Sequence, residues 1–384
     1  MISKLFIDFL NSKKSEGIML IFATLISLGL ANSVFQGDYT GFWEQEIFGG
    51  HSIVHWINDG LMAIFFLLIG LELEREIYSG ELSSLKNASL PIFGAIGGML
   101  VPALIYLLFN FGLPTQDGIG IPMATDIAFA IGILSLLGRR VPTSLKAFLI
   151  ALAVIDDLGA IIVIALFYSS GVVWLNLIIS LAIFGLLLIL RGLKVYSLIP
   201  YLIGGIVMWY FMLHSGVHAT IAGVLLAFAI PYGDGGEDTP SYKLQHILHK
   251  PVAFFILPVF ALANTAIVFD SAWFESLGHE SSLGIIFGLA VGKPLGIWLL
   301  SFLGVALGLG TLPGDLKWRN ILGAGCLGGI GFTMSIFITL LAFKGQGLLI
   351  DHSKIAILVA SVISGIIGYL FLRSSFSKEK GVSE

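Results

Sequence analysis

The sequence predicts an all-α integral membrane protein. It reads as one domain over residues 1–384, with about twelve transmembrane helices, inverted repeats in spans 3–5 and 10–12, and two discontinuous crossing helices, spans 4 and 11. Three observations carry this. Of 384 residues, 57% are apolar and 11% are Asp, Glu, Lys or Arg, against about 25% charged in an ordinary soluble domain. The apolar residues fall into runs of membrane-crossing length, and a few charges lie inside those runs. This composition, with a mean hydropathy of +0.97, excludes a disordered chain and does not fit a soluble enzyme. Twenty Lys and Arg against 24 Asp and Glu exclude a nucleic-acid partner, because phosphate binding needs an excess of clustered cations. The single cysteine, Cys326, excludes an intramolecular disulfide and a multi-cysteine metal site.

Apolar runs of about 17–25 residues cross a bilayer as helices. Twelve are read, at 15–34, 53–78, 88–110, 118–138, 143–168, 172–190, 196–213, 217–231, 247–268, 283–309, 318–342 and 353–373. The longest connections are 35–52, the Gly/Asp-rich 232–246, and 269–282; none holds a further domain. The first run follows Lys13 and Lys14 and ends at Ala31-Asn32-Ser33, like a cleavable signal. Its apolar stretch exceeds the 7–15 residues of a signal core, so it is read as a retained span.

Orientation follows the cations. With the N-terminus cytoplasmic, the inside segments hold 17 of the 20 Lys and Arg, including Lys4, Lys13, Lys14, Lys86, Arg139, Arg140, Arg191, Arg319, Arg373, Lys378 and Lys380. The outside segments hold Lys344 and Lys354, and carry acids such as Asp38, Glu44, Asp117 and Asp270. Both termini are therefore expected in the cytoplasm.

The remaining cation, Lys293, lies inside span 10, and three carboxylates are stranded likewise: Asp126 in span 4, and Asp156 and Asp157 in span 5. Each costs about 2.5–3.5 kcal/mol at a helix centre. One ion pair could serve only to fix helix register, but it leaves two carboxylates over. The four are read as lining an ion pathway.

Span 4 opens Gly118-Ile-Gly-Ile-Pro-Met-Ala-Thr125-Asp126, and span 11 has five Gly within 323–331. Gly costs about 1 kcal/mol relative to Ala inside a helix, so both spans are expected to break within the membrane. A break is tolerated only where the freed backbone is buried or faces water. The broken spans are seven helices apart and so run in opposite directions. Their predecessors also correspond, with Gly94, Gly98 and Pro102 in span 3 and Gly288, Gly292 and Pro294 in span 10. Paired breaks in oppositely directed spans are the pattern of secondary transporters. If the broken helices cross, positive ends meet on one side and negative ends on the other. Asp126 and Lys293 are the acid and base available to offset them.

A hard cation takes oxygen ligands, which adjacent carboxylates and freed carbonyls provide. Asp156 and Asp157 diverge by about 100° on a helix but can share one cavity. Burial and mutual repulsion both oppose two negative charges there, so a proton and a cation compete for the same oxygens.

These residues resemble the NhaA family of Na+/H+ antiporters. The matching stretches are I-N-D-G-L-M-A-I-F-F-L-L-I-G-L-E (57–72), A-T-D-I-A-F-A (124–130), A-V-I-D-D-L-G-A-I-I (153–162), S-G-V-H-A-T-I-A-G-V (215–224), L-P-V-F-A-L-A-N (257–264), G-K-P-L-G-I (292–297) and G-I-G-F-T-M-S-I-F-I (329–338). The resemblance implies a secondary active Na+(Li+)/H+ antiporter, not an enzyme. It would extrude Na+ by alternating access, electrogenically and under pH regulation, in the bacterial inner membrane. No cofactor is expected beyond the transported Na+ or Li+ and H+. Asp157 would be the main cation-binding carboxylate. Asp156 would be its partner in proton exchange, paired with Lys293 when Na+ is absent. Thr125 and Asp126 would belong to the broken-helix crossing. His218 and the cluster Glu72, Glu74, Arg75 and Glu76 would serve the pH response.

Two features depart from the family. Gln245 stands where an acid is common, and the first outer loop, 35–52, is short. The second leaves open whether the loop builds the β-hairpin that links protomers, and so whether a homodimer joins membrane lipid among the partners. Some residues have a plainer reading. His218 suits a helix-end hydrogen bond as well as a pH role. Glu72 and Glu76 flank Arg75 at i,i+4 spacing, as in a salt-bridged helix end, and Asp59 suits packing at a helix start. His246 and His249 read as interfacial. Two other functions compete. A Na+-coupled symporter of organic anions would add polar residues for its solute. An intramembrane aspartyl protease would need facing acids and a G-x-G-D word, which this sequence lacks.

Overall fold

A computed structural model describes residues 13–169, 171–269 and 273–377. Lys4, Asp270, Lys378 and Lys380, used above for orientation, lie outside the described residues, as do the side chains of Lys13, Lys14 and Lys86. The described chain is mostly helical, and each of the twelve apolar runs contains a helix or a bent helix pair. By length and apolarity, seven helices among the described residues can cross a membrane, or up to ten if each bent pair is one span. Ile199–Leu213 and Ile221–Ala229 are shorter.

The chain forms two compact units: Met1–Leu28, Ser84–Ala160 and Ile267–Glu384 make the first, and Gly29–Ser83 and Ile161–Ala266 the second. In the first unit, span 4 is a 3-10 helix Pro114–Met123 and an α-helix Ile127–Leu136, bent by 42°. Span 11 divides into Trp318–Gly328 and Phe332–Ala342, bent by 49°. The non-helical residues between are 124–126 and 329–331, beside the Gly and Pro that predict the breaks.

Helices Leu85–Asn110 and Lys293–Ala306 make the tightest approach in this unit. A Cβ added at Gly97 would lie 2.0 Å from the Gly296 carbonyl oxygen, and one at Gly296 would lie 2.1 Å from that of Gly97. Small residues that let backbones touch are the usual solution for helices packed in lipid. A π-helical turn, Gly288–Gly292, immediately precedes Lys293, and another, Val252–Ile256, precedes Leu257-Pro258. Proline removes an N–H and clashes with the carbonyl four residues back, and a wider turn before Pro294 and Pro258 makes room for the ring.

The second unit contains Ile53–Ser79, Trp174–Gly192, Ile199–Leu213, Ile221–Ala229 and Pro240–Asn264. Its core includes Leu71, Tyr201, Met208, Leu226 and Ala227. Gly223 faces Ala63, whose carbonyl oxygen would be 2.1 Å from an added Cβ.

The short loop 35–52 does build a hairpin: β1 (Glu46–Phe48) pairs antiparallel with β2 (His51–Ser52). Gly49 and Gly50 turn it at φ 64° and 73°, the left-handed backbone that a two-residue hairpin turn requires. Two helices begin more than one turn earlier than hydropathy indicates. Pro240 starts one inside the stretch read as a loop, since proline suits a first helical turn. The last begins at Gly347, so Lys354, read as an outer-loop residue, is helical and 11% exposed, 4.0 Å from Asp351 one turn before it. Hydropathy misses such helix starts because it registers Asp and Lys only as interruptions.

Candidate functional site

The candidate site is built at the two breaks of the first unit. Asp126 is the N-cap of Ile127–Leu136, and its Oδ1 accepts from the Phe129 amide at 3.0 Å. Its Oδ2 accepts from the Thr333 hydroxyl at 2.5 Å and the Thr333 amide at 3.2 Å, in the first turn of Phe332–Ala342. One carboxylate thus faces the N-terminal ends of both half-helices, where the helix dipole favours negative charge. The Asp126 amide donates to the Ile330 carbonyl at 2.6 Å, tying one break to the other.

Lys293 is fully buried. Its Nζ lies 2.6 Å from Asp156 Oδ2 and donates to the Met123 carbonyl at the end of the first half of span 4. That carbonyl is at a negative helix end and has no next turn to accept from. The Thr125 hydroxyl is 2.8 Å from Asp156 Oδ2 and 2.8 Å from the Gly328 carbonyl oxygen, so its single proton is shared between them or alternates. Asp156 Oδ1 is buried and accepts no hydrogen bond among the described residues. Asp157 follows on the same helix, 1% exposed, within electrostatic reach of Lys293.

The arrangement provides one cation, two carboxylates, a hydroxyl and two carbonyls freed from helix pairing, with the charged side chains and the hydroxyl all buried. Those are the oxygen donors a hard monovalent cation takes, and a base beside them can hold or release a proton. Among the described residues no group of three or more His, Cys, Asp or Glu gathers around a metal site.

A family model described as Na+/H+ antiporter 1 matches residues 7–372. The chain is 64% identical over 379 residues to the Na+/H+ antiporter NhaA 1 of Flavobacterium johnsoniae, covering 99% of each chain. The chain belongs to the NhaA family of Na+/H+ antiporters. It is also 62% identical to the NhaA of Dechloromonas aromatica, over 97% of this chain and 96% of that one. With the NhaA of Vibrio campbellii the identity is 47%, over 98% and 97%. A solved structure of the sodium proton antiporter MjNhaP1 from Methanocaldococcus jannaschii shares the fold, with a TM-score of 0.53 at 14% identity over 97% of this chain and 96% of that one.

In this NhaA chain Asp156, Asp157, Lys293, Thr125 and Asp126 all fall in the first unit, whereas His218, Glu72 and Glu76 fall in the second. His218 Nε2 is 3.0 Å from the Tyr168 carbonyl oxygen. Glu76 accepts from the Glu81 amide at 3.0 Å, and Arg75 stacks over Tyr242, 5.6 Å from the ring centroid. Gln245 is on the helix Pro240–Pro251.

Three participants in the site carry no sequence signal. Thr333 carries only a hydroxyl, and the Met123 and Gly328 carbonyls are backbone atoms, so no side-chain chemistry marks them. In the second unit Glu74, which the resemblance groups with Glu72, Arg75 and Glu76, stands apart from those neighbours. It is fully buried and paired with Arg191 at 3.0 Å, while Arg191 also donates to the Phe228 carbonyl. Glu74 lies among charged neighbours near a helix end, which conceals its burial. Its i,i+3 spacing to Leu71, which is buried, is the sequence signal for that burial.

Proposed function

We propose that this chain exchanges Na+ or Li+ for H+ across the bacterial inner membrane by alternating access. Twelve spans, with spans 4 and 11 crossing at their breaks, would place both termini in the cytoplasm. The observation that carries the reading is Asp156: its Oδ2 is held by Lys293 and Thr125, its Oδ1 has no hydrogen bond, and a second buried acid adjoins it.

In the cation-free state Lys293 is charged and neutralises Asp156, while Asp157 carries a proton. An arriving Na+ takes carboxylate oxygens of Asp157 and Asp156. Asp157 releases its proton, and Lys293, displaced from Asp156, releases a second. Two protons return as the Na+ leaves on the other side, so one net charge moves per cycle. That charge couples transport to the membrane potential by about 2.3 kcal/mol per 100 mV. Asp126, facing two helix N-termini, and Lys293, at the Met123 carbonyl, offset the half-helix charges and keep the crossing intact through the cycle. His218, Glu72 and Glu76 tune the response to pH, and the hairpin β1–β2 supports a homodimer.

Everted vesicles carrying the protein test the exchange by collapse of an imposed pH gradient on addition of Na+, Li+ or K+. Collapse by Na+ and Li+ is expected, and its rate should change when the membrane potential is clamped. A gradient insensitive to Na+ would overturn the reading.

A further inference from the structure

The first unit contains a cavity that the exchange reaction does not use. It has a volume of about 500 Å3 and lies among the first helix, the second half of span 4, the second break and the last helix. Its deep end is formed by Phe129, Ile330 and Phe332, beside the residues that Asp126 holds, and its far end by Leu136 and Leu370. Its walls are almost wholly hydrocarbon. The Thr24 and Ser361 hydroxyls in them are engaged: Thr24 donates to the Leu20 carbonyl, and Ser361 accepts from the Phe332 amide at 3.2 Å.

The surroundings say what solvent it meets. Phe22, Leu25, Leu136, Val362, Ile366 and Leu370 are each more than half exposed, so the mouth opens on a greasy face. On the last helix the lining runs from Leu358 to Leu370, about 18 Å at 1.5 Å per residue. One leaflet of hydrocarbon is about 15 Å deep, half of a 30 Å core. The groove therefore has the length of a single acyl chain.

Arginines gather at the end near Leu136 and Leu370, while beyond Leu358 at the other end Lys354 faces Asp351 at 4.0 Å. Arg139 and Arg140 follow Leu136 by three and four residues, Arg373 follows Leu370 by one turn, and all three are exposed. No acid lies within four residues of any of them in sequence. Arg319 is also exposed, over Phe371 at 5.5 Å. Exposed arginines beside the end of an apolar groove suit a phosphate attached to a hydrocarbon tail.

We propose that this groove binds one acyl chain of an anionic phospholipid. The headgroup phosphate would lie at Arg139, Arg140 and Arg373, and the tail would reach Phe129 and Phe332. The bound chain buttresses the N-terminal ends of both half-helices through Phe129 and Phe332. The proposal depends on the membrane location of the chain and not on which ions it exchanges.

The test uses the full chain in phosphatidylcholine vesicles containing a trace of photoactivatable phosphatidylglycerol or photoactivatable phosphatidylcholine, each with a diazirine on one acyl chain. Labelled peptides are mapped by mass spectrometry. Phosphatidylglycerol should label 129–136 and 358–370 at least about five-fold more than phosphatidylcholine, since each cation near an anionic headgroup contributes about that factor. The triple variant Arg139→Gln, Arg140→Gln, Arg373→Gln should lose this preference, with Arg373→Gln alone as the milder form if the triple variant folds poorly. Val362→Trp, which fills the mouth, should reduce labelling by both lipids there and leave labelling of Trp174–Gly192 unchanged. Equal labelling by the two lipids would mean ordinary surrounding lipid and would overturn the proposal. So would a preference that survives the Arg substitutions, or absence of labelling by either lipid because a second copy of the chain covers the groove.

Discussion

Lys293–Asp156 and Arg191–Glu74 are both close pairs between a buried carboxylate and a cation from another helix, at 2.6 and 3.0 Å. Their surroundings differ. Lys293 and Asp156 are both fully buried, a second acid adjoins them, and the backbone at Met123 and Gly328 has been released from helical pairing. Glu74 has one base and a serine partner, Ser241 at 3.4 Å, and belongs to an uninterrupted helix. Arg191 is 27% exposed and also engages the Phe228 carbonyl. Burial of charge is thus common to a clamp and to a candidate transport site. Surplus acid and broken backbone are what distinguish the second, because only they leave oxygens for an incoming cation.

The largest effect that could break this comparison is on exchange. Asp157→Asn should reduce Na+-driven collapse of a pH gradient to background in everted vesicles, whereas Glu74→Gln should leave most of it. Full activity in Asp157→Asn would remove the surplus carboxylate from the argument. Next in size is stability. Lys293→Ala leaves Asp156 buried without its cation and should cost about 3–5 kcal/mol, read as a lowered midpoint of thermal unfolding in detergent. Arg191→Ala should cost less, about 1–3 kcal/mol, because water can reach the vacated site and Ser241 still donates to Glu74. Equal losses would mean the two pairs are alike.

Gly296→Ala sharpens the point about backbone. Its Cβ would collide with the Gly97 carbonyl three residues from Lys293, so overpacking should lower stability by about 1–3 kcal/mol and slow exchange together. Asp126→Asn removes the charge at two helix ends and turns one of its two acceptor oxygens into a donor, so one of the bonds to Phe129 or Thr333 is lost. A loss of about 0.5–2 kcal/mol is expected, with slower turnover and retained Na+ binding by calorimetry. Abolished binding would make Asp126 a ligand. The smallest effects belong to the second unit: His218→Gln and Gln245→Glu should each move the pH profile of exchange and leave its maximal rate nearly unchanged.

Much of this was legible in advance for particular reasons. Gly118, Gly120 and Pro122 before Thr125-Asp126 mark a break because helix cost is local. The π turn before Lys293 was not legible, since Gly288–Gly292 would also suit an ordinary α-helix; the ring of Pro294 is its only local hint. Gly49-Gly50 is the local signal for the hairpin, because both positions take positive φ, whereas loop length alone carries no information about turn type.

Composition and run length sufficed for the membrane class, the positions of the helical stretches and the four charges stranded in them, because insertion energetics depend on one segment at a time. The partners of those charges were decided only in three dimensions. Lys293 meets Asp156 and the Met123 carbonyl, Asp126 spans to Thr333, and Glu74, hidden among helix-end charges, meets Arg191. Each depends on which helices pack together and at what register, and helix periodicity carries no record of contacts made far along the chain.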